Sequence, residues 1–216
     1  MQIFTIPGKN FDSNVYLLPG KIPTIIDAGT GVYSKDLIKT IGTILEPSLI
    51  KQIVLTHEHF DHVGGSLDIL KATNNTAKIY SHKNAVDRLK TGKSSFAQML
   101  GCSMPEIHNI LPVSDTDRLL CGNELLTILH TPGHSLGSIC LYNQKEKVLF
   151  SGDTIFANGD FGRYDLNGGD FQSLVTSLKR LTTYDIAHLY PGHGPIVENN
   201  AQQHVTKSYQ NIQSMI

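Results

Sequence analysis

Thr56-His57-Glu58-His59-Phe60-Asp61-His62 places four potential metal ligands, His57, His59, Asp61 and His62, within six residues. The apolar, β-branched run over 50–55 precedes it and reads as a buried strand, while Gly64-Gly65 follows and opens a predicted helix reaching Ala72. The cluster therefore sits on a strand-to-helix loop, and imidazole with carboxylate suits zinc, iron or manganese. Three later loops repeat the arrangement. Strands predicted over 125–129, 147–150 and 186–190 run out into Thr131-Pro132-Gly133-His134, Ser151-Gly152-Asp153 and Pro191-Gly192-His193-Gly194. Glycine and proline let the backbone bend tightly, and a ligand at a strand end is held by the sheet behind it. His57, His59, Asp61, His62, His134, Asp153 and His193 together supply five imidazoles and two carboxylates. Such a set is enough for two metal ions that share one carboxylate.

In order and spacing, the HxHxDH run, the later lone His, the Asp after a strand and the final Pro-Gly-His-Gly resemble the metallo-β-lactamase superfamily. Ile25-Ile26-Asp27-Ala28-Gly29-Thr30 is similar to its early strand ending in Asp. The resemblance spans nearly the whole chain. It implies an α+β (mixed α/β) fold, a four-layer αββα sandwich. It also implies a first metal at His57, His59 and His134, a second at Asp61, His62 and His193, and Asp153 bridging them together with a water or hydroxide. The cofactor expected is a pair of divalent ions, zinc first, with iron or manganese as alternatives. Asp61 is also implied as a proton acceptor. Asp27 would stand behind the ligands and fix the tautomer of a ligand histidine; the alternative is an Asp that caps a turn before Gly29. Glu58 is not a ligand position, and the flavodiiron branch carries Glu where this chain has His59, which disfavours a redox reading.

The 216 residues, 40% of them hydrophobic, suffice for one sizeable core, and one domain over 1–216 is expected. With 18 basic against 19 acidic residues and no dense basic patch, a nucleic-acid partner is not expected. The N-terminus reads as a strand, with neither an export signal nor a run able to span a bilayer, so a cytoplasmic protein without a membrane partner is expected. Cys102, Cys121 and Cys140 are odd in number and far apart, in keeping with a reducing compartment; Cys140 reads as a small buried apolar group. A homo-oligomer is compatible with the sequence. Strands are predicted near 2–6, 13–18, 22–27, 50–55, 77–80, 117–120, 124–129, 138–142, 147–151 and 187–190. Helices are predicted near 33–45, 64–73, 170–182 and 200–213. Between the halves, 91–111 reads as a helix-like segment with Phe96, Met99, Leu100, Met104 and Ile107, either a lid over the site or an insertion with its own small core. His82, His108, His130, His188 and His204 are read as structural or exposed.

The segment Phe161-Gly162-Arg163-Tyr164-Asp165-Leu166-Asn167-Gly168-Gly169-Asp170 is similar to one in glyoxalase II-like hydrolases and persulfide dioxygenases. The resemblance places Arg163 and Tyr164 near the mouth of the site as substrate-binding residues, while Asp170 reads as the N-cap of the next helix. Tyr164 and Asn167 depart from the usual pattern. Full glyoxalase II enzymes continue into a helical domain that supplies much of the glutathione site, whereas this sequence stops one predicted helix after Pro-Gly-His-Gly, so glutathione recognition is not expected to carry over. Class B lactamases place Cys where this chain has Asp153 and are exported, which argues against antibiotic hydrolysis. The expectation is a binuclear hydrolase of the short glyoxalase II-like type, acting on a small-molecule thioester or acyl ester through a metal-bridging hydroxide. The alternative is a persulfide dioxygenase-like oxygenase using a single iron at His57, His134 and Asp153; a third reading is a non-catalytic metal-binding module.

Overall fold

The computed structural model describes residues 1–216, the side chain of Ser95 apart. The chain divides into two compact units, Met1–Val113 with Leu120–Glu124, and Ser114–Leu119 with Leu125–Ile216. Among the described residues no helix is long and apolar enough to cross a membrane.

The first unit is built on a sheet whose strands lie in sequence order: β1 (Phe4–Ile6), β2 (Val15–Leu18), β3 (Thr24–Ile26), β4 (Gln52–Val54), β5 (Lys78–His82) and β6 (Ile110–Val113). β1, β2 and β3 pair antiparallel, and β3 through β6 pair parallel. Parallel neighbours need a crossover, and helices supply it. α1 (Ser34–Gly42) joins β3 to β4, α2 (Phe60–Val63) and α3 (Ser66–Ala72) join β4 to β5, and α4 (Val86–Thr91) and α5 (Ser95–Met99) join β5 to β6. Ile25, Ile53 and Ile79 lead the core on one face with Phe60, Val63 and Ile69 from the helices, while Tyr16, Ile26 and Val54 are buried on the other face. Burial on both faces is why these strands read as continuous apolar runs and not as alternating ones.

The second sheet runs in order through β7 (Arg118–Cys121), β8 (Glu124–His130), β9 (Ile139–Asn143), β10 (Val148–Gly152), β11 (His188–Pro191) and β12 (Val197–Glu198). β8, β9 and β10 pair antiparallel, β10 and β11 parallel, and β11 and β12 antiparallel. α6 (Phe171–Leu181) makes the crossover between β10 and β11, and α7 (Ala201–Gln213) closes the chain. Leu174, Leu178 and Leu181, four and three residues apart, line one face of α6 and are fully buried with Leu149, Leu189 and Val205. The Asp170 carboxylate accepts from the Ser173 amide at 2.7 Å, the N-cap expected from the sequence, and that bond holds its carboxyl below the ordinary value.

The structure departs from the sequence expectations in particular places. Helix α1 stops at Gly42 and not near residue 45, because Pro47 follows within a turn and cannot continue the helical ladder. The segment 91–111 is not one helix: only α5 forms, and Met104 and Ile107 belong to the main core of the first unit, so it has no small core of its own. Its end is strand β6, hidden in the sequence by Pro112, which is tolerated because β6 is an edge strand. Strand β12 has two residues, too few to leave a pattern.

Candidate metal centre

In the first unit, β3 and β4 are parallel neighbours with Ile26 opposite Val54, so the loops leaving their carboxyl ends emerge side by side. Asp27 follows β3 in the left-handed region, φ 60°, a conformation Asp tolerates better than most side chains. Its buried carboxylate accepts from the Thr56 amide, the Thr56 hydroxyl and His62 Nδ1, each at 2.8 Å. An ionised carboxylate only accepts, so the Thr56 hydroxyl proton points to Asp27 and its oxygen faces His57 Nδ1 at 3.1 Å as an acceptor. One carboxylate thereby fixes the tautomer of two imidazoles, directly at His62 and through Thr56 at His57, and leaves both Nε2 atoms available to a metal.

His59 precedes α2, and the amides of His62 and Val63 donate to its carbonyl at 3.1 and 3.2 Å. This single turn folds His62 back beside His57, with ring centroids 4.1 Å apart; His59 stands edge-on to His57 at 4.8 Å. His62 Nε2 lies 3.9 Å from Asp61 Oδ2. Gly64 follows because a Cβ there would sit 2.1 Å from the Thr30 carbonyl oxygen. Glu58 is buried in the same loop but is not among the grouped donors.

In the second unit, the loop after β8 is pinned before it reaches its candidate ligand, His134. The Ser177 hydroxyl donates to the Pro132 carbonyl at 2.7 Å, and the Asp170 amide to the Gly133 carbonyl at 2.8 Å. His134 Nδ1 donates to the Arg163 carbonyl at 2.7 Å, which again turns Nε2 outward. Asp153 leaves the end of β10 and His193 the end of β11, parallel neighbours with Gly152 opposite Pro191. Asp153 Oδ2 stands 3.5 Å from His134 Nε2 and 3.6 Å from His193 Nε2. Two donors about 2.1 Å from one tetrahedral ion are about 3.4 Å apart, so both separations match ligand edges. One carboxylate oxygen thus forms such an edge with each of two histidines.

Gly162 was not singled out from the sequence, yet it makes this arrangement possible. A Cβ on it would lie 1.9 Å from the Asp153 carbonyl oxygen and 3.0 Å from His134 Cγ and Nδ1. Its place just before Arg163 in the Phe-Gly-Arg segment was the only available signal. Thr56, which links Asp27 to His57, carries no local signal of that role either. Arg163 meets His134 through its backbone, while its guanidinium, 68% exposed, forms a two-pronged pair with Asp165 at 2.9 and 2.8 Å. The Tyr164 ring packs edge-on against Phe171 at 4.9 Å.

The remaining histidines have local contacts outside these ligand sets. His82, His188 and His204 accept from the amides of Asn84, Asn199 and Asn158, His130 Nε2 lies 3.0 Å from the Leu136 carbonyl, and His108 stands beside Glu106. Burial pushes the Cys121 thiol up to about 12 and that of Cys140 up to about 11, so both stay neutral and inert at ordinary pH.

Known proteins share this framework. The chain is 35% identical over 208 residues to a "probable metallo-hydrolase" of Methanocaldococcus jannaschii, covering 93% of this chain and 96% of that one. It is 31% identical over 203 residues to a hydroxyacylglutathione hydrolase of Haemophilus influenzae, covering 90% and 91%. A protein crystallised in a di-iron-bound form superposes with a TM-score of 0.76 at 32% identity, over 90% of this chain and 94% of that one. The sequence profile of the metallo-beta-lactamase superfamily matches residues 8–193. The two sheets with their crossover helices are that superfamily's fold, the fold class expected from the sequence, and the chain belongs to the metallo-beta-lactamase superfamily.

Proposed function

We propose that this chain is a cytoplasmic, binuclear metal-dependent hydrolase that cleaves a thioester or small acyl ester in the manner of glyoxalase II. The observation that carries the reading is Asp153 Oδ2, at ligand-edge distance from both His134 and His193. His57, His59 and His134 would hold one ion and Asp61, His62 and His193 the other, with Asp153 shared. Zinc suits these donors, and the di-iron-bound relative supports iron as the alternative occupant. When bound, two such ions supply Lewis acidity towards a carbonyl oxygen and a nucleophile drawn from water at ordinary pH.

The chain's own residues do the rest. Asp27 and Thr56 hold His62 and His57 in the tautomer that presents Nε2, and the Arg163 carbonyl does the same for His134. Asp61, beside His62 Nε2, is assigned as the carboxylate that takes up the proton released as water adds to the carbonyl carbon. Arg163 and Tyr164 are assigned to the substrate. The guanidinium can exchange Asp165 for a substrate carboxylate because its present pair is exposed. The hydrolase-named relatives support acyl transfer to water as the reaction class.

The test is metal identity and number per chain in protein purified without added metal, alongside hydrolysis of S-lactoylglutathione and a small acyl ester. Two ions with cleavage are expected, and Asp153→Ala should remove most of both. One iron per chain, no cleavage, and oxygen uptake with a persulfide would overturn the reading in favour of a dioxygenase.

A further inference from the structure

We propose that α7 is a positioning clamp for the candidate metal centre, with His204, Ser208 and Asn211 holding the tip of a hairpin whose two ends carry Asp153 and the Arg163 carbonyl. The inference rests on the hydrolase reading and adds three side chains of the last helix to the support of that site. Residues 153–163 leave β10 and turn back on themselves. The Gly162 amide donates to the Thr154 carbonyl at 3.5 Å, Ile155 bridges Phe161 antiparallel, and the Phe156 amide donates to the Asp160 carbonyl at 3.0 Å. One leg begins at Asp153, at ligand-edge distance from His134 and His193; the other ends at Arg163, whose carbonyl accepts from His134 Nδ1. Between them, Phe156 meets the His193 ring edge-on at 6.4 Å. A tilt of this hairpin therefore disturbs three candidate ligands together.

The tip, 157–160, is held by α7. The Asn158 amide donates to His204 Nδ1 at 2.7 Å, and the Asn211 side-chain amide donates to the Gly159 carbonyl at 2.8 Å. The Ser208 hydroxyl donates to the Asp160 carbonyl at 2.9 Å, with the His204 carbonyl as its second acceptor at 3.0 Å. Positions 204, 208 and 211 are four and three residues apart and share one face of the helix. Each of three consecutive tip residues thus gives one backbone group to one α7 side chain. Gly159 makes the approach possible: its φ is 88°, and a Cβ there would lie 2.6 Å from Lys207 Cγ and 2.9 Å from Asn211 Nδ2. Docking of the helix is carried by Ala201, Val205 and Ile212, fully buried in the core of the second unit. What the three polar groups add is a fixed tip, tied to that core through α7. Metal-ligand distances are met only within about 0.2 Å, so a small pivot of an unclamped hairpin is enough to spoil them.

The test titrates cobalt(II) into chelator-stripped protein, read by its visible ligand-field bands and by competition with a chelating dye. Urea unfolding of the metal-free protein and hydrolysis of S-lactoylglutathione run alongside. His204→Ala and Asn211→Ala should each weaken cobalt binding about fivefold, one net hydrogen bond apiece, and alter the bands. His204→Asn, which keeps an acceptor for the Asn158 amide, should restore native affinity and bands. Gln203→Ala, on the exposed side of α7, should change neither. Asn211→Asp, which removes the donor at constant size, replaces an alanine variant that does not fold. Native cobalt affinity and bands in the folded His204 and Asn211 variants overturn the proposal whatever their urea midpoints, since the bonds would then only dock the helix. So does a folded His204→Asn that binds as weakly as His204→Ala. Native protein that binds no cobalt overturns the clamp and the hydrolase reading together. Clamp-dependent cobalt affinity in a protein that cleaves no thioester would leave the clamp standing and sink the hydrolase reading. Thioester cleavage with clamp-independent cobalt affinity would do the reverse.

Discussion

Replacing Gly162 by Ala should cripple the proposed metal centre without touching a proposed ligand. The added Cβ starts 1.9 Å from the Asp153 carbonyl oxygen, and contacts of this kind become ordinary only from 3.4 Å, so the two strands of backbone must part by about 1.5 Å. The same Cβ stands 3.0 Å from the His134 ring, which blocks movement to that side. If Asp153 moves, its Oδ2 leaves the 3.5 and 3.6 Å edges it makes with His134 and His193. If the 162–163 backbone moves instead, the 2.7 Å bond from His134 Nδ1 to the Arg163 carbonyl is stretched past the hydrogen-bond range. Either route should weaken metal binding about 10- to 100-fold, the usual effect of losing support behind a ligand. Turnover should fall about 100-fold, as expected for a misplacement near 1 Å. Overpacking should cost about 1–3 kcal/mol, read as a melting-point drop of about 2–4 °C per kcal/mol. Chelator competition with metal analysis reads the first effect, steady-state hydrolysis the second and calorimetry the third. Gly42→Ala, at the end of α1 with only Pro47 Cδ nearby at 4.0 Å, is the control and should be neutral or slightly stabilising. A Gly162→Ala protein with native metal affinity and turnover would refute the close-approach reasoning.

Asp27→Asn keeps the size and left-handed tolerance of the residue but cannot accept all three hydrogen bonds; metal affinity should drop about 10- to 100-fold and stability by about 1–3 kcal/mol, measured by metal content and denaturant unfolding. Arg163→Ala should raise KM while leaving metal stoichiometry unchanged, because the carbonyl and not the guanidinium holds His134; loss of metal would show that the side chain supports the site after all. The thiols give a pH prediction whose sign is fixed by burial. The folded thiols of Cys140 and Cys121 stay protonated to about 11 and about 12, from 9.0 when unfolded, so the unfolded chain binds fewer protons above pH 9. Stability should hold up to pH 8 and then decline by about 1.4 kcal/mol per pH unit for each thiol between pH 9 and 11. Below pH 8, an aromatic disulfide reagent should titrate half-buried Cys102 readily in the native protein and the other two only on unfolding.

The candidate ligands were legible because each stands where a strand ends. A β-branched run followed by a Gly- or Pro-marked turn is a local signal, and it located His57, His134, Asp153 and His193 at the ends of β4, β8, β10 and β11. Asp170 was legible for the same reason, since a cap and its helix are neighbours in sequence. What stayed hidden acts over distance. Gly162 is explained by the Asp153 carbonyl and a ring 28 residues away, and no window along the chain contains that contact. The Arg163 carbonyl is invisible in principle, because every residue has one. Strand β6 was masked by a proline that only an edge position excuses. The segment 91–111 misled because Met104 and Ile107 have the spacing of a helix face while serving the common core of the first unit.

The three anchored imidazoles share one polarity, with Nδ1 given to the scaffold and Nε2 left outward, but their anchors differ in kind. His62 donates to a buried carboxylate, and His57 reaches the same carboxylate through a hydroxyl, so one carboxylate stands behind both rings. His134 donates to a neutral carbonyl, and its ring is positioned more than it is activated. The two variants separate these contributions. Asn at 27 preserves volume and backbone while removing the charge; Ala at 162 preserves every charge while displacing the donors. If charge behind the ligands matters most, Asp27→Asn should be the poorer metal binder even where its fold is intact. If position dominates, Gly162→Ala should lose metal first, and restoring ionic interactions elsewhere would not recover it.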